Sequence, residues 1–257
     1  MCELLGISAD RKIKANKMLE TFFGHSTEHR DGWGLALLDA RPVLFTKEPV
    51  RAIDSAHLKD ILKEDVETSK CIAHIRKATI GEVNLHNTHP FRRYDDSGRL
   101  WILAHNGTVF EAGVLSPYQY AQEGTTDSER ILLYIIDEIN KLYHTKGRVL
   151  TDDERIAVVE EAVLSIVPEN KLDLIITDGD LMYVHKNEAG TLYKRETPHE
   201  TVFATKPLTG DIWTEIPGNQ LLVYRDGEPI YLGKKHDHTY VHDEERMKLI
   251  YFAYSGL

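Results

Sequence analysis

The sequence predicts an α+β protein in which two β-sheets are covered by helices. Short apolar runs typical of strands dominate the first part of the chain and return near its end, and two strong helical patterns lie together between them. This order differs from the strict alternation of strand and helix in a doubly wound sheet. A chain of 257 residues can bury a full core. This length allows one large domain or two small ones, and we expect one domain, residues 1–257.

The strand pattern recurs along the chain, and several of the runs are apolar throughout. A strand without polar alternation is typical of a sheet that is covered on both faces. The runs cover residues 2–7, 33–38, 43–46, 71–75, 100–104, 172–177, 181–185, 202–205 and 220–224.

Two helices are predicted in the middle of the chain. The first begins after Thr126, where Thr126 and Glu129 have the spacing of a capping box and apolar residues follow at helical spacing. The second covers about residues 153–167, and Thr151 with Glu154 forms the same kind of start signal. These helices are expected to pack their apolar faces on a sheet.

Composition excludes several classes of protein. The net charge of −10 disfavours a nucleic-acid partner, which would require a basic face. No run of 18 apolar residues and no leader pattern occurs, so we expect no membrane span and a cytoplasmic location. Two cysteines, Cys2 and Cys71, cannot build a disulfide framework or a zinc cluster. His236-Asp237-His238 could suggest a metal site, but a polar turn is favoured, and we expect no metal or cofactor.

The most informative residue is Cys2, which directly follows the initiator methionine. Cysteine is small enough for Met1 to be removed ahead of it. Removal would place a thiol and an α-amine on one residue, and an α-amine with a pKa of about 7.7–8.0 can accept a proton near neutral pH. The alternative is a cysteine at this position without a chemical role.

A second candidate site is His105-Asn106-Gly107, which follows an apolar strand. An asparagine amide and a glycine backbone N–H are neutral donors that can form an oxyanion hole, and glycine allows close approach to a substrate. The alternative is a hairpin turn, because Asn-Gly is a strong turn signal.

Three further polar residues can bind a charged substrate or have purely structural roles. Arg76 ends an apolar strand, where it could bind a carboxylate through two parallel hydrogen bonds or simply face solvent. Asp127 could meet a substrate ammonium or favour a helix N-terminus. His89, held extended by Pro90, could be a structural histidine.

In their order along the chain, these motifs resemble the class II glutamine amidotransferases, a branch of the N-terminal-nucleophile hydrolases. The resemblance covers roughly the first 130 residues and is strongest to small stand-alone members with the sequence Asn-Thr-His-Pro-Phe. The motifs are Cys2, Arg-x-Ala-Thr at 76–79, Thr-His-Pro at 88–90, His-Asn-Gly at 105–107 and Thr-Asp-Ser-Glu at 126–129. The resemblance implies a four-layer αββα sandwich of two mainly antiparallel sheets.

The resemblance also implies roles for these residues. Cys2 would be the nucleophile, with its own α-amine as base, and Asn106 and Gly107 would bind the oxyanion. Arg76 would hold the α-carboxylate of glutamine, and Asp127 its α-ammonium. The other implied substrate-binding residues are Thr79, His89 and Trp33, the last with His29 and Gly32 at the floor of the pocket.

Three functions remain open from the sequence. The first is a glutaminase or amidotransferase that releases glutamate and ammonia, and the second is a γ-glutamyl peptide hydrolase with the same residues. The third is a glutamine-binding or scaffold protein without activity. Acceptor-carrying synthases often have tryptophan where this chain has Lys77, and no acceptor domain is expected here. A separate acceptor or synthase subunit is therefore a possible partner.

Overall fold

The computed structural model describes residues 2–79, 81–245 and 248, and these form four layers. Two antiparallel sheets pack face to face, and helices cover the outer face of each. The α+β class and the αββα sandwich predicted from the sequence are confirmed.

The elements are numbered in chain order. The strands are β1 (Glu3–Lys14), β2 (Trp33–Leu37), β3 (Leu44–Glu48), β4 (Glu67–Ile75), β5 (Phe91–Tyr94), β6 (Leu100–Thr108), β7 (Lys171–Thr177), β8 (Leu181–His185), β9 (Tyr193–Thr197), β10 (Glu200–Ala204), β11 (Thr214–Glu215), β12 (Leu222–Arg225) and β13 (Glu228–Leu232). The α-helices are α1 (Asn16–Gly24), α2 (Ala56–Lys63), α3 (Asp127–Lys146) and α4 (Asp152–Ile166).

The two sheets place the first strand of the chain near the centre of the molecule. The seven-stranded sheet has the order β11-β9-β10-β1-β4-β2-β3, and the six-stranded sheet has the order β13-β12-β8-β7-β6-β5. Neighbouring strands in both sheets are antiparallel. Strands β3 and β5 are therefore edge strands, and the side chain of Arg92 on β5 lies over the ring of Phe45 on β3, so the two edges are neighbours.

Three apolar clusters correspond to the spaces between the layers. One lies between the sheets and includes Leu4, Ile72, Ala104 and Ile175. The second joins α1 and α2 to the seven-stranded sheet, and the third joins α3 and α4 to the six-stranded sheet. Successive side chains of a strand point to opposite faces, so neighbouring residues of each strand belong to different clusters.

The helix starts differ from the predicted capping boxes in one case. At α4 the box is complete, with the Thr151 side chain accepting from the backbone of Glu154 and the Glu154 side chain accepting from the backbone of Thr151. At α3 the Thr126 hydroxyl accepts from the Glu129 N–H, but the Glu129 carboxylate accepts from Gly124 N–H and Arg93 instead. Glu129 therefore joins α3 to β5.

The sequence reading missed the short or partly polar elements. Strands β5, β9, β11 and β13 lie near or at sheet edges and carry charged residues or proline, which weakens the apolar pattern. Helices α1 and α2 are short. Within the described part of the chain, no helix combines the length and the apolar character needed to cross a bilayer.

A close contact between β2 and the segment before β5 gives a test of the packing. A Cβ atom on Gly34 would lie 2.1 Å from the carbonyl oxygen of His89, which is backbone and cannot rotate away. We expect Gly34→Ala to lower the free energy of unfolding by about 1–3 kcal/mol, as overpacking does. Urea denaturation measures this loss.

The matched control is Gly24→Ala. No heavy atom lies within 4 Å of a Cβ at Gly24, and its φ of −60° suits alanine. This variant should be neutral or more stable by up to about 1 kcal/mol. Equal stability of the two variants would contradict the proposed contact.

Candidate active site

The register of β1 against β4 brings Cys2 and Arg76 together. Glu3 lies opposite Ile75, so the residue before β1 and the residue after β4 meet at one end of the seven-stranded sheet. Cys2 lies two residues before Leu4 and therefore faces the same side, which is the space between the sheets. The backbone N–H of Lys77 lies 3.4 Å from Sγ of Cys2 and donates to it.

Arg76 is almost fully buried and is held by backbone carbonyls. Its guanidinium donates to the carbonyl oxygens of Gly81 at 3.2 Å and Glu82 at 3.1 Å. It shares the inter-sheet face with Ile72, which is four residues earlier on β4. A cation that is fixed in this way can bind an anion without losing much side-chain entropy.

Asn106 and Gly107 lie within β6, so the hairpin-turn interpretation is wrong. Asn106 pairs with Asp173 of β7, and Gly107 pairs with Leu172. Strand alternation from Ala104 places Asn106 on the inter-sheet face, where it shares a cavity with Cys2. Within residues 2–79, 81–245 and 248, no hydrogen bond engages the side-chain amide of Asn106.

Glycine is required at position 107. A Cβ atom there would lie 2.1 Å from the carbonyl oxygen of Lys171 and 2.3 Å from Nε2 of His105. Both atoms belong to buried residues whose positions are fixed by the sheet. The absence of a side chain at Gly107 therefore lets β6 lie this close to β7 beside the cavity.

His105 fixes the start of α3 against β6. Its Nε2 lies 3.2 Å from the carbonyl oxygen of Lys171, which can only accept, so Nε2 carries the proton. The unprotonated Nδ1 then accepts from the hydroxyl of Ser128 at 2.9 Å. Burial lowers the pKa of His105, which keeps the ring neutral as this arrangement requires.

The same helix start holds the carboxylate of Asp127. One oxygen accepts from the backbone N–H of Val109 at 2.6 Å, and the other accepts from the N–H of Ser128 at 2.9 Å. Asp127 is 5% exposed and lines the cavity that Cys2 also lines. The carboxylate is therefore fixed at a helix N-terminus, where a negative charge is stabilised.

His89 presents a buried imidazole to the cavity. Its ring stacks on His74 with centroids 4.2 Å apart, and neither ring nitrogen of His89 has a hydrogen-bond partner among the described residues. Burial lowers the pKa of His89 well below its ordinary value, so the ring is neutral. An unsatisfied buried donor is costly, and a polar ligand would relieve that cost.

Trp33 does not lie where the sequence reading placed it. Its side chain is fully buried against Phe23 in the cluster beneath α1, and its indole N–H donates to Glu48 at 3.2 Å. Strand alternation along β2 directs Trp33 to the helical side of the sheet, with Leu35. Trp33 therefore lines neither cavity at Cys2, and neither do His29 and Gly32.

The other predicted residues surround two adjoining cavities that meet at Cys2. The first cavity is lined by Cys2, Arg76, Thr79, His89, Gly107 and Asp127 among others. It is small, at ≈ 30 Å³. The second is lined by Cys2, Thr79, Asn106, Gly107, Thr108, Lys171, Tyr240 and His242.

The thiol of Cys2 is in an environment that disfavours its charged form. Burial raises the pKa of the thiol, and the backbone hydrogen bond with Lys77 lowers it by less. The group is therefore a neutral thiol at neutral pH, and a nucleophilic role requires a nearby base.

His236, the first histidine of the His-Asp-His sequence, packs against His185 of β8. Nε2 of His236 lies 3.0 Å from Nε2 of His185, and burial lowers the pKa of His185 to about 3. Among the described residues, no group of three potential ligands comes together.

The comparisons with known proteins identify the family of the chain. A family model for glutamine amidotransferases class-II matches residues 1–203. The chain belongs to this family. The matched residues include Cys2 and Asn106.

Individual class-II relatives cover most of the chain. A protein of Escherichia coli named "Putative glutamine amidotransferase YafJ" is 28% identical, over 90% of this chain and 100% of that protein. The crystal structure of a "predicted glutamine amidotransferase" from Pseudomonas aeruginosa has a TM-score of 0.64 at 25% identity. The match covers 90% of this chain and 100% of that one.

A larger enzyme shares the fold. Glutamine phosphoribosylpyrophosphate amidotransferase from Bacillus subtilis has a TM-score of 0.64 at 18% identity, over 88% of this chain and 47% of that chain. At this identity the match supports the fold alone.

Several cavity residues were not predicted from the sequence. Lys171 and Asp173 lie two residues apart in β7, and this pair of charged residues in a mostly apolar strand was the sequence signal for the cavity wall. Tyr240 and His242 lie in a segment without regular structure, where periodicity gives no signal. His105 belongs to one of the family motifs, but only the tertiary structure shows its hydrogen bond with Ser128.

The two cysteines should differ in reactivity. Cys71 is fully buried in the cluster beneath α1 and α2, and burial raises the pKa of its thiol strongly. Cys2 is partly exposed at a cavity. We expect iodoacetamide to modify Cys2 and to leave Cys71 unmodified in the folded protein, as measured by peptide mass spectrometry. Preferential labelling of Cys71 would contradict the placement of both residues.

Proposed function

We propose that this class-II family member hydrolyses the side-chain amide of glutamine through a γ-glutamyl thioester on Cys2, and that it releases glutamate and ammonia. The observation that carries the proposal is the position of Cys2. On one side of Cys2 lies a cavity with one buried cation and one buried carboxylate. On the other side lies β6, where no hydrogen bond among the described residues engages the side-chain amide of Asn106. No cofactor is required for this chemistry.

The charges of the first cavity suit the head of glutamine. Arg76 would bind the α-carboxylate, and Asp127 would bind the α-ammonium. Because backbone groups already fix both side chains, little ordering is needed on binding. Neutral His89 and the hydroxyl of Thr79 would supply further hydrogen bonds from the cavity wall.

The base for the thiol would be the α-amine of Cys2 itself. The pKa of the buried thiol is raised, so the proton must be removed during attack. An α-amine with a pKa of about 7.7–8.0 is suited to this role near neutral pH. It exists on Cys2 only after Met1 has been removed, so we propose that the active protein begins at Cys2.

Asn106 and Gly107 would stabilise the tetrahedral intermediate. Attack on the amide carbon produces an oxyanion, and two neutral donors that are already oriented by β6 would meet this charge without reorganising. The amine then leaves as ammonia after protonation, and water hydrolyses the thioester. The ammonia is released or passes to a separate acceptor subunit.

The second cavity favours a second candidate function, the hydrolysis of γ-glutamyl peptides. Ammonia needs no pocket, whereas the leaving group of a γ-glutamyl peptide would extend beyond Cys2, on the side where Asn106, Lys171, Tyr240 and His242 lie. The ammonium of Lys171 is paired with Glu188, so this side would offer polar contacts around a fixed ion pair.

Glutamate release from the processed protein tests both candidates. The protein is confirmed by intact mass to begin at Cys2 and is incubated with glutamine and with a set of γ-glutamyl dipeptides. We expect glutamate from at least one substrate class, and the ratio of kcat/KM values assigns the leaving group. The Cys2→Ser variant should lose most turnover, since a hydroxyl is the poorer nucleophile at neutral pH.

Two outcomes would reject the mechanism. Full activity with Met1 still attached would exclude the α-amine as base. Binding of glutamine without glutamate release from any substrate would instead favour an inactive binding protein.

The roles of Asn106 and Asp127 predict kinetic effects of different kinds. Asn106→Ala should lower kcat with little change in KM, because the oxyanion appears only as the reaction proceeds; the expected loss is about 2.7–4 kcal/mol. Asp127→Asn should mainly raise KM. It retains an acceptor for Val109 N–H but removes the charge that would meet the α-ammonium.

Steady-state kinetics on both variants distinguish these effects. A raised KM with intact kcat in Asn106→Ala would show that the amide contacts the ground state only. An unchanged KM in Asp127→Asn would leave Asp127 with only the structural role of holding Val109.

A further inference from the structure

A separate cavity region lies away from Cys2, between the edge strands β3 and β5. It is an open cleft of ≈ 580 Å³, within the range of small-molecule sites. One wall is β3, the other is β5, and the start of α3 closes one side. The lining residues are Phe45, Thr46, Lys47, Leu85, His86, Phe91, Arg92, Arg93, Tyr94, Glu123 and Glu129.

Two cations in this cleft lack a carboxylate partner among the described residues. The guanidinium of Arg92 lies 4.4 Å from the ring centre of Phe45, and the ammonium of Lys47 lies 4.9 Å from that of Phe91. Neither cation forms an ion pair within the described part of the chain. In a protein with a net charge of −10, this local excess of positive charge is unusual.

The two carboxylates of the cleft share one arginine. Glu129 accepts from Arg93 at 2.8 Å and from the N–H groups of Glu123 and Gly124. Glu123 lies 3.2 Å from Arg93 and 3.4 Å from His86. Arg93 therefore offsets part of the negative charge of this wall, and Lys47 and Arg92 form no ion pair with it among the described residues.

Lys47 is part of a built site rather than a mobile surface lysine. Its ammonium donates to the carbonyl oxygen of Thr88 at 2.6 Å and lies against Phe91. Burial lowers the pKa of Lys47 to about 8, although the nearby carboxylates of Glu129 and Glu123 act in the opposite direction. A bound anion would stabilise the charged form of this ammonium.

We propose that this cleft binds a phosphomonoester, with Lys47 and Arg92 as the groups that hold its phosphate. Lys47 and Arg92, which form no ion pair in the described part of the chain, suit the charge of about −1.5 to −2 that such a phosphate carries at pH 7 better than the single charge of a carboxylate. Nucleotides and sugar phosphates share this group. Tyr94, which is 64% exposed beside Arg92, could stack on a planar base.

Isothermal titration calorimetry on the full chain tests the proposal with AMP and glucose 6-phosphate, and with adenosine and glucose as uncharged controls. We expect saturable binding of at least one phosphomonoester with a Kd below about 1 mM and none of the uncharged compounds. Tighter binding of AMP would identify nucleotides, and tighter binding of glucose 6-phosphate would identify sugar phosphates.

Variants locate the site independently of glutamate release. Arg92→Gln and Lys47→Met should each weaken binding about tenfold or more, and Arg92 is exposed, so its loss should not prevent folding. The matched control is Arg11→Gln, an exposed arginine outside the cleft, which should bind as the unmodified chain does. Absence of saturable binding to the unmodified chain, or equal affinity in all three variants, would overturn the proposal.

Discussion

The pairing of β1 with β4 is the constraint on which the rest of the site depends. It brings the residue before one central strand beside the residue after its neighbour, so Cys2 and Arg76 need no loop to position them. Slippage by one residue would turn Cys2 toward α1 and α2 and would reverse every buried side chain of β1. Gly6 allows the sheets to approach closely along the same strand, since a Cβ there would lie 3.1 Å from Ile175.

The six-stranded sheet contributes groups of a different character. The charged side chains of the first cavity, Arg76 and Asp127, are held by backbone carbonyls and N–H groups respectively. The donors on β6 are neutral, and His105 is kept neutral by burial and by its two hydrogen bonds. The residues around Cys2 thus separate fixed, oppositely charged side chains from neutral donors.

The sequence predicted the fold class and most of the residues around Cys2, for reasons that the structure explains. Cys2, Arg76 and Asn106 each adjoin or end an apolar strand, so their positions follow from the strand pattern and the family motifs. Trp33 was misplaced because a motif gives proximity in sequence but not the face of the strand. Lys171 and Tyr240 reach the cavity from distant parts of the chain, and only the tertiary structure brings them there.

The position of β3 and β5 at the sheet edges has a consequence for self-association. Edge strands expose unpaired backbone groups, and another chain can extend the sheet there. Here the two edges are adjacent, and the short strand β5 contains Arg92 and Arg93 within its four residues, while β3 contains Lys47. Charged side chains on an edge strand disfavour the addition of another chain. The three cations of β3 and β5 therefore give this pair of adjacent edges a second role, as protection against ordered association.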